Sequence, residues 1–211
     1  MALAVLAYHS HHVVGPGYGA NDHVAFERDL DLLTDAGWRI VPLAALVRAH
    51  REHASERLVA LTFDDGPVYD VEDVVHPAYG GQRSFANAMR AFAARRPGAQ
   101  PSLHATSFVI ASPEARRAME SHADPRYTWL APGSMGEAWW SGAIDSGLVA
   151  IANHSWDHLH PALPAVRHSG DARGDFSRVS TVADADAQIR DAAAYLARAT
   201  GGRAAPYFAY P

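Results

Sequence analysis

The chain has 211 residues, 48% of them apolar, a net charge of −5 with histidine neutral, and no cysteine. That length fits one domain with a sizeable core. The charge leaves no basic footprint for nucleic acid, and without cysteine there is neither disulfide nor thiolate metal site. No apolar run reaches the eighteen residues of a membrane span.

Leu3 to Tyr8 reads as a first strand. The apolar opening lacks a basic leader and is too short for a signal peptide, so no export signal is visible. A Gly/Pro-rich loop over 14–20 follows. Asn21 or Asp22 then caps a helix with Phe26, Leu30 and Leu33 on one face, closed by Gly37. Arg39 to Leu43 is expected as a short strand, 44–51 as a short helix and Leu58 to Phe63 as a buried strand. Beyond these, 84–96 is expected as a helix, 105–110 and Leu148 to Asn153 as strands, and 181–200 as a helix bearing Ile189, Ala193 and Leu196. Pro206 to Pro211 looks like a strand reaching its end. The stretches 68–102 and 112–140 are long for connections and read as insertions. Alternating strands and helices predict an α/β fold with a parallel sheet or (β/α) barrel.

Polar residues gather where strands end. Asp64-Asp65 closes the run Leu58 to Phe63 and precedes Gly66-Pro67. Two adjacent like charges are costly unless a cation or a shared proton offsets them, although Asp before Gly-Pro is also ordinary turn chemistry. Ala150 to Asn153 leads into His154-Ser155-Trp156-Asp157-His158. Among 13 histidines a pair at that spacing proves little by itself, but after a buried strand one tight turn points both rings the same way. Together the four groups make a plausible His₂Asp metal site with one carboxylate left as base. Asp157 either orients an imidazole or caps a turn. Ser155 bonds the loop backbone, and His104, His122 and His168 receive no role. In a rival reading, His9-Ser10-His11 supplies the first ligands of an amidohydrolase or PHP-type metal barrel. A catalytically inactive carbohydrate-binding domain is the non-enzyme alternative.

Thr62-Phe63-Asp64-Asp65-Gly66 followed by Asn153-His154-Ser155-Trp156-Asp157-His158 resembles the first two motifs of the polysaccharide deacetylase family, the NodB-homology domain of carbohydrate esterase family 4. Tyr8-His9 at the end of the first strand resembles the start of one branch of that family. The resemblance covers the chain as one domain, 1–211, apart from the insertions near 68–102 and 112–140. It implies a distorted (β/α) barrel and hydrolysis of an N- or O-acetyl group on a sugar. By this resemblance Asp64 matches the catalytic base, and Asp65, His154 and His158 match the ligands of a divalent metal, with zinc meeting the N/O preference most readily. The family's third motif aligns with Arg203 to Tyr207 or, better placed at a strand end, with Ala209-Tyr210-Pro211. On the second alignment the chain stops within that motif, which implies either a truncated chain with a barrel incomplete at its C-terminus or a general acid from elsewhere. His9 is the candidate acid, with a hydrogen-bonded wall histidine as its plainer role. His9, Trp156 and Tyr210 are the expected substrate contacts, and a carbohydrate is the expected partner.

Overall fold

The computed structural model describes residues 2–53, 55–122, 124, 127–170 and 173–211. Ala123, Pro125 and Arg126, inside the expected insertion near 112–140, lie outside the described residues.

The main sheet is parallel and runs β1 (Ala2–Tyr8), β3 (Arg57–Phe63), β6 (Ala105–Val109), β7 (Val149–Asn153). β1 pairs along the whole of β3, from Ala2↔Arg57 to Tyr8↔Phe63. The other edge of β3 is shared: β2 (Arg39–Ile40) takes Leu58 and Val59, and β6 takes Leu61 to Phe63. The tail extends the sheet past β7, where Asn153 bridges Phe208 and Ala205 N–H donates to the Ile151 carbonyl at 2.7 Å. This is the expected α/β architecture with a parallel sheet; among the described residues it does not close into a barrel.

β3 is buried from Leu58 to Phe63, and apolar there except for Thr62, because both its faces are covered. Val59, Leu61 and Phe63 enter the main core, whereas Leu58 and Ala60 meet Val41, Leu46 and Ala49, the latter two on α2 (Leu43–Arg51). On the main side, α1 (Asp22–Asp35) and α3 (Phe85–Arg95) bring Phe26 and Phe85 against Phe63. The three ring centroids lie 4.5–5.3 Å apart, an edge-to-face and tilted packing that aromatic rings favour. This cluster fixes the end of β3 immediately before Asp64. Asn21 caps α1 as expected, its side chain accepting from the N–H groups of His23 and Val24.

Four local expectations change. The strand expected over 39–43 stops at Ile40, because Pro42 has no N–H to donate and instead leads into α2. Within 68–102 the chain forms a small antiparallel hairpin, β4 (Val74–His76) with β5 (Gly80–Gln82), before α3. Within 112–145 it forms α4 (Pro113–Glu120) and α5 (Trp140–Asp145). The helix expected over 181–200 is present but not uniform: α6 (Val182–Ala185) passes through a π turn at Asp186–Arg190 into α7 (Asp191–Ala199). No described helix is long and apolar enough to cross a membrane.

Candidate active site

The ends of β1, β3 and β7 meet at one rim, where parallel α/β sheets build their sites. Asp64 continues the ladder, its N–H donating to the Tyr8 carbonyl at 2.9 Å. The chain then turns through two left-handed residues, Asp65 at φ 71° and Gly66 at φ 78°. Glycine is required at 66: a Cβ there would sit 2.5 Å from Val109 Cγ1. A non-glycine residue in the left-handed region costs about 1–2 kcal/mol, so Asp65 is held there by its surroundings.

Asp65 is buried, and its Oδ1 takes no hydrogen bond among the described residues. That oxygen lies 3.4 Å from His158 Nε2 and 3.6 Å from His154 Nε2. His154 Nδ1 faces the carbonyl of Ala209 at 3.2 Å. A carbonyl only accepts, so Nδ1 carries the proton and the Nε2 lone pair faces the carboxylate. Burial pushes the His154 pKa down to about 4, against the attraction of Asp65, so the ring is neutral at ordinary pH. A lone pair aimed at a carboxylate oxygen is repulsive unless a cation lies between them. The spacing suits one: tetrahedral ligands about 2.1 Å from an ion stand about 3.4 Å apart. Asp65, His154 and His158 are therefore able to hold a divalent ion.

A third imidazole approaches the other carboxylate oxygen, with His11 Nε2 3.6 Å from Asp65 Oδ2. Burial opposes ionisation of Asp65, but His158, His11 and His154 together outweigh it and hold its pKa well below the usual carboxylate range. Asp64 behaves oppositely. Burial raises its pKa to about 6, with His9 lowering it and Asp65 raising it, and its Oδ1 is also buried without a hydrogen bond among the described residues. Adjacent carboxylates with separated pKa values are suited to separate roles.

The loop carrying His154 and His158 is strained, with Ser155, His158 and Leu159 all at positive φ. Ser155 Oγ accepts from His158 N–H at 2.9 Å, which is the backbone role expected of it. Asp157 binds backbone rather than a ring: Oδ1 accepts from Leu159 N–H at 2.9 Å and Oδ2 from Arg167 N–H at 2.7 Å.

Of the other expected contacts, His9 stands at the rim with its ring edge-on to His11, centroids 5.5 Å apart. Trp156 turns away, edge-on to Tyr195 and with the Arg167 guanidinium 3.6 Å from its ring centroid. The Tyr210 side chain is exposed and packs on Phe208 and Phe176; the tail reaches the rim through the Ala209 carbonyl instead. A cavity of about 250 Å³ beside His158 is lined by Tyr127, His160, Phe176 and Pro211. Asp70 had no signal in the sequence. It is fully buried and accepts from Ser10 Oγ at 2.6 Å and Ser107 Oγ at 2.7 Å. Burial raises its pKa to about 7, the two serines pulling it down and Asp64 and Asp65 pushing it up.

The family model described as "Polysaccharide deacetylase" matches residues 51–211. No curated protein matches the sequence. Among solved structures, IcaB from Ammonifex degensii is 22% identical with a TM-score of 0.56, over 100% of this chain and 74% of that one. A polysaccharide deacetylase from Bacillus cereus is 15% identical with a TM-score of 0.53, over 97% of this chain and 49% of that one. The Streptococcus pyogenes deacetylase PplD, solved in complex with acetate, is 17% identical with a TM-score of 0.50, over 97% and 71%. The chain thus spans about half the length of the Bacillus protein. At these identities the likeness is one of fold.

Proposed function

The chain belongs to the polysaccharide deacetylase family, and from that premise we propose that it is a metal-dependent hydrolase removing acetyl groups from a polysaccharide or amino sugar. The observation that carries the reading is Asp65 Oδ1, buried without a hydrogen bond among the described residues and 3.4 and 3.6 Å from two imidazole nitrogens. Asp65, His154 and His158 would hold a divalent cation, zinc by donor type, which supplies Lewis-acid polarisation of the acetyl carbonyl and its water.

Asp64 is the general base. Its raised pKa brings it closer to neutrality, where proton transfer from the attacking water is most efficient. His9, near enough to Asp64 to act on its charge, returns a proton to the departing nitrogen or oxygen. The substrate's sugar lies over the rim, with 1–211 acting as one domain and the stretches near 68–102 and 112–140 walling it. Trp156 and Tyr210 would meet the sugar only where it extends beyond that rim.

Acetate release from acetylated sugar oligomers tests the proposal. Zinc-loaded protein should release acetate, chelated protein should not, and Asp64→Asn should bind zinc yet lose about 10²–10⁴ in rate. Unchanged release by Asp64→Asn would remove the base from the mechanism. The approach of His11 to Asp65 favours a second reading in which His9 and His11 are ligands. Zinc binding lost in His11→Ala but kept in His158→Ala would establish that reading instead.

A further inference from the structure

We propose that Gln188 is a positioning residue for the loop carrying His154 and His158, delivered by the π turn and acting through Asp157. What the loop holds rests on the proposed function above; how it is held does not.

The helix over 182–199 carries one wide turn, in which Asp191 N–H donates to the Asp186 carbonyl five residues back. Such turns shift the side chains that follow out of α-helical register and recur at functional sites. Here the turn contains Gln188, fully buried, with both ends of its amide used. Nε2 donates to Asp157 Oδ1 at 2.8 Å and to the Arg167 carbonyl at 2.9 Å, and Oε1 faces Asp157 N–H at 3.4 Å. The next residue of the turn holds the loop's other end: Asn153 Nδ2 donates to the Ile189 carbonyl at 2.9 Å, while Asn153 Oδ1 accepts from Ser155 N–H at 2.8 Å. Two successive residues thus grip positions 153 and 157, on either side of His154 and next to His158.

The loop needs that grip. Ser155, His158 and Leu159 all have left-handed backbones without being glycine, a state that persists only when the surroundings over-determine it. Asp157 is the junction: its carboxylate gathers N–H groups from Leu159, Arg167 and Gln188. Gln188 contributes the one bond of the three that comes from the helical layer. Groups that orient metal-binding side chains typically change affinity 10–100-fold when removed.

Two variants test this, Gln188→Ala and the near-isosteric Gln188→Met, which keeps the volume and loses the hydrogen bonds. In metal-free protein, amide exchange at Leu159 and Arg167 should accelerate at least tenfold in both, with β3 and β6 unchanged. In zinc competition against a chelator, both should bind 10–100-fold more weakly. Leu196→Ala, a core truncation on α7, controls for stability: it should lower the melting temperature while leaving loop exchange and zinc affinity as in wild type. Wild-type exchange at Leu159 and Arg167 in Gln188→Met would overturn the proposal, as would equal zinc weakening in Leu196→Ala. Should wild-type protein bind no zinc, the metal reading fails, and the exchange measurement still decides the role of Gln188.

Discussion

Replacing Asp70 by asparagine removes a buried charge while keeping its hydrogen bonds. The amide oxygen can accept from Ser10 and the amide nitrogen can donate to Ser107, whose hydroxyl is free to rotate. In the folded protein the Asp70 carboxyl keeps its proton up to about pH 7, against 3.8 as the ordinary value. The native state therefore binds more protons than the unfolded state across that window, and this group costs stability progressively as pH rises from about 4 to about 7. At roughly 1.4 kcal/mol per pKa unit, the loss between pH 5 and pH 8 is about 2.5 kcal/mol. Asp70→Asn does not suffer it, so the variant should gain that amount on wild type between the two pH values. For a chain of this size the gain corresponds to about 5–10 °C in melting temperature. Paired denaturation curves at pH 5 and pH 8 measure it, because subtracting the variant cancels the titration of groups that do not interact with Asp70. A stability difference that stays flat across the interval would refute the reasoning and mean that Asp70 is ionised throughout.

Gly66→Ala should cost about 2–4 kcal/mol, from a left-handed backbone and a methyl driven into Val109; an unchanged melting temperature would show that the turn has another way to form. Phe85→Ala opens a cavity between Phe26 and Phe63 and should lose about 3–5 kcal/mol in chemical denaturation. Zinc at a hundred times its dissociation constant should stabilise the fold by about 2.7 kcal/mol, an increment that disappears in His158→Ala. An equal increment in that variant would place the ion elsewhere.

Much of this was readable from the residues. Leu58 to Phe63 is an apolar run broken only at Thr62 because helices cover both faces of β3, and the pair Asp64-Asp65 stands out because the run ends on it. His154 and His158 follow a strand of the same kind. The approach of His11 to Asp65 was not readable, since it depends on the register that sets Tyr8 beside Phe63, and pairing register leaves no local mark. Asp70 sits in a 3₁₀ turn with no periodicity to betray its burial. The hairpin at 74–82 has strands of three residues, with Val75 76% exposed, too short and too open for an alternating pattern. The π turn is invisible for a different reason: helix propensity is the same whether a turn closes over four residues or five, and a register shift of one residue leaves too slight a mark on the apolar spacing of so short a helix. Trp156 is drawn to Arg167 and Tyr195 by contacts that form only once the loops have folded over.

The carbonyl that orients His154 belongs to Ala209, 55 residues further along the chain. During synthesis from the N-terminus, β1, β3, β6 and β7 emerge and can pair well before residue 209 exists. Until then the His154 ring lacks the acceptor that fixes which nitrogen bears the proton. If Asp65, His154 and His158 hold a cation as proposed, its tightest binding would therefore await docking of the tail on β7.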